Sequence, residues 1–372
     1  MRFVLGFAAG FAVFTAAVAA GPITVDPLGV WSVDARALVS RSEHERVFKP
    51  HEAALAPREV VFVGSSRVSY TLPAEWPGVA PERVYNLGVG GATVAEVVEH
   101  LRFAVHGLHA ERVVLGVELR MFDRALPEGM PGFSRARVRL AGRPVVGLGW
   151  KLFDTAASWS AVRMALDARQ AEPPTQTWVR GTYVDYGRRK GPSPWDRSLF
   201  DPRLEYAGVD GLDPELLGDL LDAVRRARDA GAEVTVFVTP ASADLMLLID
   251  ELGAWDELEQ LKRALVTLGP VFDAERPEAW TQERRRFSDT THLDPDAGRE
   301  LITRLADPAS AGIGAWIDRS TIDASLAQDR RDLDGWRARN PALAEALREA
   351  PTDDPVAFTA ALTRARKRDR RR

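Results

Sequence analysis

The 372-residue sequence contains no cysteine. Disulfide frameworks, cysteine-ligated zinc, iron–sulfur centres and cysteine nucleophiles are therefore excluded. Histidine is also scarce, with six residues, so few side chains are available as a general base at neutral pH. The composition is otherwise that of a globular protein, with 45% hydrophobic and 27% charged residues, and it provides enough apolar material for one large core.

Acidic residues outnumber basic residues in most of the chain. The net charge is −4, but residues 364–372 contain seven basic residues and one acidic residue and so contribute +6. The rest of the chain therefore carries −10. DNA affinity comes largely from basic side chains that meet phosphates, so we expect no nucleic-acid partner.

Residues 3–20 form an uninterrupted apolar run behind Arg2. Eighteen residues are at the lower limit of a membrane span, and the preceding positive charge fits the cytoplasmic flank. Ala17-Val18-Ala19 also fits the small-x-small pattern of signal-peptide cleavage, whereas a buried core helix is disfavoured because the run has no polar face. We therefore predict a signal-anchor or a signal peptide in residues 1–25. The main domain would lie in the periplasm, held to a bacterial inner membrane by one span, or be secreted if the leader is cleaved.

After a polar connector at residues 26–57, with one helix signal at residues 33–48, a main domain is predicted at residues 58–308. Three continuous apolar runs indicate strands buried on both faces, at residues 59–63, 112–117 and 233–238. Helix signals lie between and after them, at residues 93–106, 214–230, 245–268 and 295–305. This alternation predicts an α/β fold, a three-layer αβα sandwich around a central parallel sheet.

Two regions depart from the alternation. Residues 120–213 are rich in Gly, Pro, Trp and Arg, with a helix signal only near residues 159–170. We interpret them as a long insertion over one edge of the sheet, with a separate small domain as the alternative. Residues 309–372 are predicted to form a helical tail. Asn340-Pro341 and Asp354-Pro355 each indicate the start of a helix in it. For the basic run at its end we expect a solvated, frayed segment rather than a surface for anionic lipid or polymer.

The candidate chemistry lies after the predicted strands, because ligands bind at the carboxyl ends of parallel strands. Ser66 follows the first strand, Glu118 follows the second, and a glycine-rich segment at residues 86–91 precedes the helix at residue 93. Within that segment Gly91 offers a backbone N–H at a helix amino terminus, which suits an oxyanion. The segment lacks the third glycine of a dinucleotide fingerprint and the lysine of a P-loop. A nucleotide-binding protein is thus disfavoured, and we expect no cofactor.

A serine nucleophile needs a general base, and the base needs a carboxylate that fixes its tautomer. His292 alone among the six histidines has an acidic residue three positions earlier, Asp289, in a loop before a helix. The histidines of the helix at residues 93–106, such as His100, are predicted to lie on the solvated surface. Their spacing does not place two metal ligands on one face of the helix. We therefore expect Ser66, His292 and Asp289 to form a catalytic triad, and no metal site.

The order of these motifs resembles that of the SGNH hydrolases, also called GDSL esterases and lipases. Gly64-Ser65-Ser66 is similar to their first block, with Ser65 in place of the usual aspartate. Residues 86–91 are similar to the second block and residues 289–292 to the final Asp-x-x-His block. A bacterial envelope subset of largely unassigned function is similar over residues 1–308. The resemblance implies a flavodoxin-like SGNH fold, Ser66 as nucleophile and Gly91 as an oxyanion donor.

One departure concerns the third block, which is Gly-x-Asn-Asp in the family. Gly116-Val117-Glu118-Leu119 stands there, and an ionised Glu118 cannot donate a hydrogen bond to an oxyanion. Arg67 or Arg120 would then be the substitute donor. The candidate residues around the oxyanion and the substrate are Gly91, Arg67, Glu118 and Asn86.

The resemblance implies an envelope serine esterase or O-acyltransferase, such as an O-acetyltransferase, that acts on an acyl ester. The ester of an envelope polysaccharide is one such substrate. The alternative is a non-catalytic SGNH-fold scaffold or glycan-binding protein, which Glu118 and the long insertion favour.

Overall fold

The computed structural model describes residues 44–141, 176–185, 195–209 and 211–371, together with isolated residues between 6 and 20. The helix signal at residues 159–170 lies outside the described residues, as does most of the signal at residues 33–48. Within the part of the chain that the structure describes, no helix has the length and hydropathy of a membrane span. Most of residues 1–25 lies outside that part, so the leader stays a prediction.

A six-stranded sheet forms the centre of the described structure, in the order β2-β1-β3-β6-β7-β8. Its strands are β1 (Val60–Val63), β2 (Val84–Asn86), β3 (Arg112–Val117), β6 (Glu233–Val238), β7 (Val271–Asp273) and β8 (Ala315–Ile317). A separate hairpin consists of β4 (Gln176–Val179) and β5 (Thr182–Asp185). All neighbours in the sheet are parallel except β7 and β8. The five parallel strands follow the 2-1-3-4-5 order of flavodoxin-like sheets, which confirms the predicted α/β class with a mostly parallel central sheet.

Twelve helices are described besides short 3-10 turns. They are α1 (Glu45–Ala53), α2 (Ser66–Ser69), α3 (Val94–His106), α4 (Arg135–Ala141), α5 (Phe200–Tyr206), α6 (Pro214–Asp229), α7 (Ala243–Glu251), α8 (Trp255–Leu265), α9 (Pro295–Ala306), α10 (Ile322–Arg339), α11 (Pro341–Glu349) and α12 (Pro355–Asp369). The predicted helical stretch at residues 245–268 is two helices, because Gly253 takes a left-handed φ of 80° between α7 and α8.

Apolar side chains cover both faces of the sheet. Val61 and Val63 belong to a cluster with α3, α6 and α8, whereas Val60 and Phe62 belong to a second cluster with α9. Successive strand residues point to opposite faces, so a strand covered on both sides needs an apolar residue at every position. This is the physical origin of the continuous apolar runs in the sequence.

The C-terminal helix α12 docks on the body of the protein. Phe358 and Leu362 are fully buried, and Arg366 pairs with Asp196 at 2.5 Å and with Asp244 at 3.0 Å. Near the end of the helix, Asp369 accepts two backbone N–H bonds from the first turn of α11. The two predicted helix starts of the tail are confirmed. The expectation of a solvated, frayed basic run is wrong for Arg366, which is buried and ion-paired, and for the helical backbone up to Asp369, whereas the other described basic residues of the run are exposed.

The β4–β5 hairpin lies against β2, the edge strand of the sheet. Its turn, Arg180-Gly181, has φ values of 47° and 78°, and Arg180 accepts a backbone hydrogen bond from Asn86 at 2.9 Å. A Cβ on Gly181 would lie 2.0 Å from the backbone oxygen of Asn86. This position therefore requires glycine for two reasons, its backbone conformation and the close approach.

Candidate active site

Asp289 and His292 form a pre-arranged pair in the loop before α9. His292 Nδ1 lies 2.9 Å from one carboxylate oxygen of Asp289 and 3.1 Å from the other. The backbone N–H groups of Thr291 and His292 also donate to this carboxylate, at 2.8 and 2.9 Å. Burial alone would raise the pKa of Asp289, but the hydrogen bonds from the His292 ring and the two backbone groups lower it to about 2. The ionised carboxylate therefore holds a proton on His292 Nδ1 and leaves Nε2 as the basic nitrogen.

Ser66 begins the short helix α2 at the carboxyl end of β1. Ser65 caps this helix by accepting from the Arg67 N–H at 3.2 Å, and Val68 packs down onto Gly64 and Gly116. A Cβ at either glycine would lie 2.4 Å from a methyl group of Val68, so the two glycines let α2 lie close to the sheet. The Ser66 side chain is half-buried. Sequence reasoning placed Ser66 after the first strand, and this is where it lies.

The segment after α2 connects Ser66 with the His292 loop. The ring of Tyr70 lies 5.3 Å from the His292 ring, centroid to centroid, and Tyr70 donates its backbone N–H to Ser66 O. The Thr71 hydroxyl accepts the Leu293 N–H at 3.2 Å. His292 Nε2 is buried and has no hydrogen-bond partner among the described residues. The structure thus brings His292 to the segment of Ser66, although Ser66 Oγ and His292 Nε2 are not hydrogen-bonded to each other.

Residues 86–91, hereafter the glycine loop, lie along the other side of α2. Val89 donates its N–H to Gly64 O at 3.0 Å, and a Cβ on Gly90 would lie 2.9 Å from the Tyr70 hydroxyl. Gly91 has a left-handed φ of 60°, and a Cβ there would meet no atom within 4 Å. Thr93 is the N-cap of α3, so Gly91 lies two residues before the N-cap rather than in the first turn of the helix.

Asn86 has a structural role in the glycine loop. Its side-chain amide donates to the backbone oxygens of Val68 and Leu72 at 3.0 and 2.9 Å, and its Oδ1 accepts the Gly88 N–H at 2.9 Å. Asn86 is fully buried. The polar atoms of this side chain are thus occupied within the fold, and they hold the glycine loop against α2 instead of facing a substrate.

Arg67 and Glu118 form a buried ion pair, with Arg67 Nε 2.6 Å from Glu118 Oε2. The guanidinium also contacts Glu275 at 3.1 Å and donates to the Tyr206 hydroxyl at 3.0 Å. Burial alone would lower the pKa of Arg67, but the carboxylates of Glu118 and Glu275 raise it. Arg67 therefore remains charged, and the carboxylates that contact it neutralise this charge. Glu118 is its ion-pair partner. Arg120, the other expected substitute donor, pairs with Glu205 at 3.1 Å.

Helix α1 contributes polar side chains that sequence reasoning did not connect with the site. Glu45 accepts the Gly90 N–H, and Arg46 Nη2 donates to Gly90 O at 2.7 Å. Lys49 donates to Gly88 O and to the Ser69 hydroxyl, the latter at 2.8 Å, and burial lowers its pKa to about 8. The helix signal at residues 33–48 covered Glu45 and Arg46 but not Lys49, and no sequence pattern shows that this charged face would be buried under the glycine loop.

His100 is buried in the structure, so the expectation of a solvated surface histidine is wrong for this residue. It is 1% exposed, and both ring nitrogens lack a hydrogen-bond partner in the described ranges. Burial lowers its pKa to about 3, which keeps the ring neutral. The same parts of the chain contain no group of three or more His, Asp or Glu side chains that could hold a metal ion.

Comparisons of the chain with family models, with curated proteins and with solved structures give no match.

Proposed function

We propose that the chain is an SGNH-type serine esterase or O-acyltransferase that acts on acyl esters. The observation that carries the proposal is His292. Its Nδ1 is held by Asp289, its buried Nε2 has no partner among the described residues, and its ring lies 5.3 Å from that of Tyr70, which donates its backbone N–H to Ser66 O. A neutral imidazole with one nitrogen fixed by a carboxylate is the base that a serine nucleophile requires.

In the first half of the reaction, Ser66 Oγ attacks the ester carbonyl while His292 Nε2 takes the hydroxyl proton. The tetrahedral intermediate collapses as His292 gives that proton to the leaving alcohol, and the acyl group stays on Ser66. The ionised Asp289 stabilises the imidazolium that forms between these two transfers. Its lowered pKa keeps it ionised throughout the neutral pH range.

The negative charge on the carbonyl oxygen needs backbone donors that are already in place. The Ser66 N–H begins α2, the Gly91 N–H donates to no group in the described part of the chain, and the space beside Gly91 is open, so these two groups are the proposed donors. Arg67 and Asn86 are occupied elsewhere in the fold. The oxyanion hole is therefore built from backbone groups, and the carboxylate of Glu118 is tolerated because Arg67 neutralises it.

In the second half, an acceptor hydroxyl attacks the acyl-enzyme while His292 Nε2 takes its proton. The bond between the acyl carbon and Ser66 Oγ then breaks, and His292 returns the proton to Ser66 Oγ. Water gives an esterase, and a sugar hydroxyl gives an O-acyltransferase. The apolar leader predicted at residues 1–25 supports an envelope location, which makes acylated envelope polysaccharide the proposed substrate class.

The proposal is tested by labelling the purified full chain with a fluorophosphonate, which reacts with activated serines. We expect one label per chain, at Ser66, and its loss in Ser66→Ala. Ser288→Ala is the matched control, because this exposed serine lies in the same loop as Asp289 and should leave labelling unchanged. Labelling that persists in Ser66→Ala would remove the assignment.

A second candidate is a non-catalytic glycan-binding protein. It is favoured by the absence of a hydrogen bond between Ser66 and His292 and by Glu118 in the place of the family's asparagine donor. This candidate predicts no labelling of Ser66, no turnover of p-nitrophenyl acetate, and saturable binding of cell-wall polysaccharide that survives Ser66→Ala.

A further inference from the structure

Helix α1 holds the glycine loop through both peptide groups of one residue. Arg46 Nη2 donates to the backbone oxygen of Gly90 at 2.7 Å, and the Gly90 N–H donates to a carboxylate oxygen of Glu45. Glu45 and Arg46 are consecutive residues in the first turn of α1. One turn of this helix thus fixes the peptide groups before and after Gly90.

The contact with Gly90 O determines the direction of a second group. Gly90 C=O and Gly91 N–H belong to one planar trans peptide, in which they point in opposite directions. When Arg46 holds the oxygen, the Gly91 N–H is directed away from α1. In the described part of the chain this N–H donates to no other group, and the space beside Gly91 is open. The orientation of the Gly91 N–H therefore depends on the hydrogen bond that Arg46 donates to Gly90 O.

Arg46 is itself fixed by a bidentate ion pair. Its Nε and Nη2 lie 2.7 and 3.0 Å from the two carboxylate oxygens of Glu96. Glu96 also closes the capping box at the start of α3, together with Thr93. The Arg46 side chain is 11% exposed and that of Glu96 is fully buried. A guanidinium held in this way cannot follow a movement of the glycine loop, so it acts as a rigid support.

We infer that Arg46 is a positioning residue for the Gly91 oxyanion donor. The inference rests on the proposed function. The guanidinium polarises the Gly90–Gly91 peptide and so strengthens the N–H as a donor to negative charge. Because that charge develops on the acyl oxygen only as the reaction proceeds, loss of Arg46 slows the chemical step and leaves ground-state binding unchanged.

The test measures how fast the fluorophosphonate inactivates the full chain. The inactivation rate constant at saturating probe reports the chemical step, and the half-saturating concentration reports binding. For Arg46→Met, which keeps an apolar stem, we expect the rate constant to fall about 10- to 100-fold and the half-saturating concentration to stay within about twofold. Arg46→Lys keeps a cationic donor for Gly90 O and should recover a large part of the rate.

Arg102→Ala is the matched control, because Arg102 pairs with Glu99 on α3 away from the glycine loop. It should react at the wild-type rate. Arg46→Gln retains a neutral donor and is used if Arg46→Met does not fold. The inference requires that Arg46→Gln slow inactivation at least about threefold.

Three results separate the inference from the proposed function. Wild-type chain that is not labelled at Ser66 overturns the proposed function and the inference with it. Ser66 labelling at an unchanged rate in the Arg46 variants overturns the inference alone. A third result is a lower inactivation rate constant that Arg46→Lys does not restore, together with a lower unfolding temperature of the Arg46 variants. This result assigns Arg46 a structural role and also overturns the inference.

Discussion

Arg67 Nε and Glu118 Oε2 lie 2.6 Å apart at the carboxyl end of the sheet, where Ser66 is the neighbour of one partner and β3 ends beside the other. Both side chains are buried, and Glu275 adds a second carboxylate to the same guanidinium. The acidic residue after β3 is therefore matched by the arginine after the candidate nucleophile. The two buried charges compensate each other electrostatically.

The two partners of this pair are not equally important for stability. Arg67→Met leaves two buried carboxylates without a counter-ion, and we expect a loss of about 3–5 kcal/mol in the free energy of unfolding. Glu118→Gln leaves Arg67 paired with Glu275, so we expect a smaller loss of about 1–2 kcal/mol. Urea unfolding measures both values. Equal losses in the two variants would contradict this account of the ion pair.

Asp289 should make the protein more stable above its ordinary pKa than below it. Its pKa is lowered from 3.8 to about 2 in the folded protein. The unfolded chain therefore binds a proton at higher pH than the folded chain, and the stabilisation is present above about pH 4 and lost as the pH falls toward 2. From pH 5 to pH 3 we expect the wild type to lose about 1 kcal/mol more than Asp289→Asn.

The measurement is the free energy of unfolding of both proteins at the two pH values, so that contributions of the other carboxylates cancel in the difference. Parallel pH dependence of wild type and Asp289→Asn would show that the Asp289–His292 pair is not formed in solution.

Arg366 should contribute far more to stability than its neighbours in the basic run. It is 8% exposed and pairs with Asp196 and Asp244. Arg366→Met removes the guanidinium that pairs with these two carboxylates. We therefore expect a loss of about 2–4 kcal/mol in the free energy of unfolding and faster proteolysis of the C-terminal region. Arg364→Met, two residues earlier and exposed, changes the net charge equally and should be neutral. A similar loss in both variants would contradict the docked position of α12.

Gly298 should be intolerant of alanine, because α9 lies directly on the segment after α2. A Cβ at Gly298 would be 2.1 Å from Thr71 O. Gly298→Ala must push α9 and the preceding His292 loop away from Tyr70, so we expect lower thermal stability and slower labelling of Ser66. Gly218 lies within α6, and a Cβ there would meet no atom within 4 Å. Gly218→Ala is the control and should raise stability by about 0.5–1 kcal/mol.

The sequence allowed the central strands to be predicted better than the edges of the sheet. β3 and β6 have the predicted bounds, and β1 differs by one residue, because strands buried on both faces are continuous apolar runs. β2, β7 and β8 were not predicted, since each has only three residues and too few positions to show a period. Their pairing is determined by neighbouring strands rather than by local pattern.

For the site, local motifs could be predicted and partners could not. Asp289 and His292 are three residues apart, so their pairing follows from the loop that contains both. The carboxylates that accept hydrogen bonds from the Arg46, Arg67 and Arg366 side chains lie 50 or more residues away along the chain. Whether a charged side chain is solvated or buried depends on such distant partners, which explains the wrong expectation for Arg366. His100 is neutral and packs against the ring of Phe133 at 6.4 Å, a contact outside its own helix that no local pattern shows.

The hydrogen bond between Thr71 and Leu293 joins residues that are 222 positions apart. Closing so long a loop is entropically unfavourable until the intervening sheet has formed, so the His292 loop reaches Ser66 late in folding. During synthesis, the proposed nucleophile Ser66 emerges long before His292, its proposed base. Under the proposed function and envelope location, a chain translocated while still unfolded would carry no assembled triad in transit. Its proposed activity would begin only after the domain has folded on the far side of the membrane.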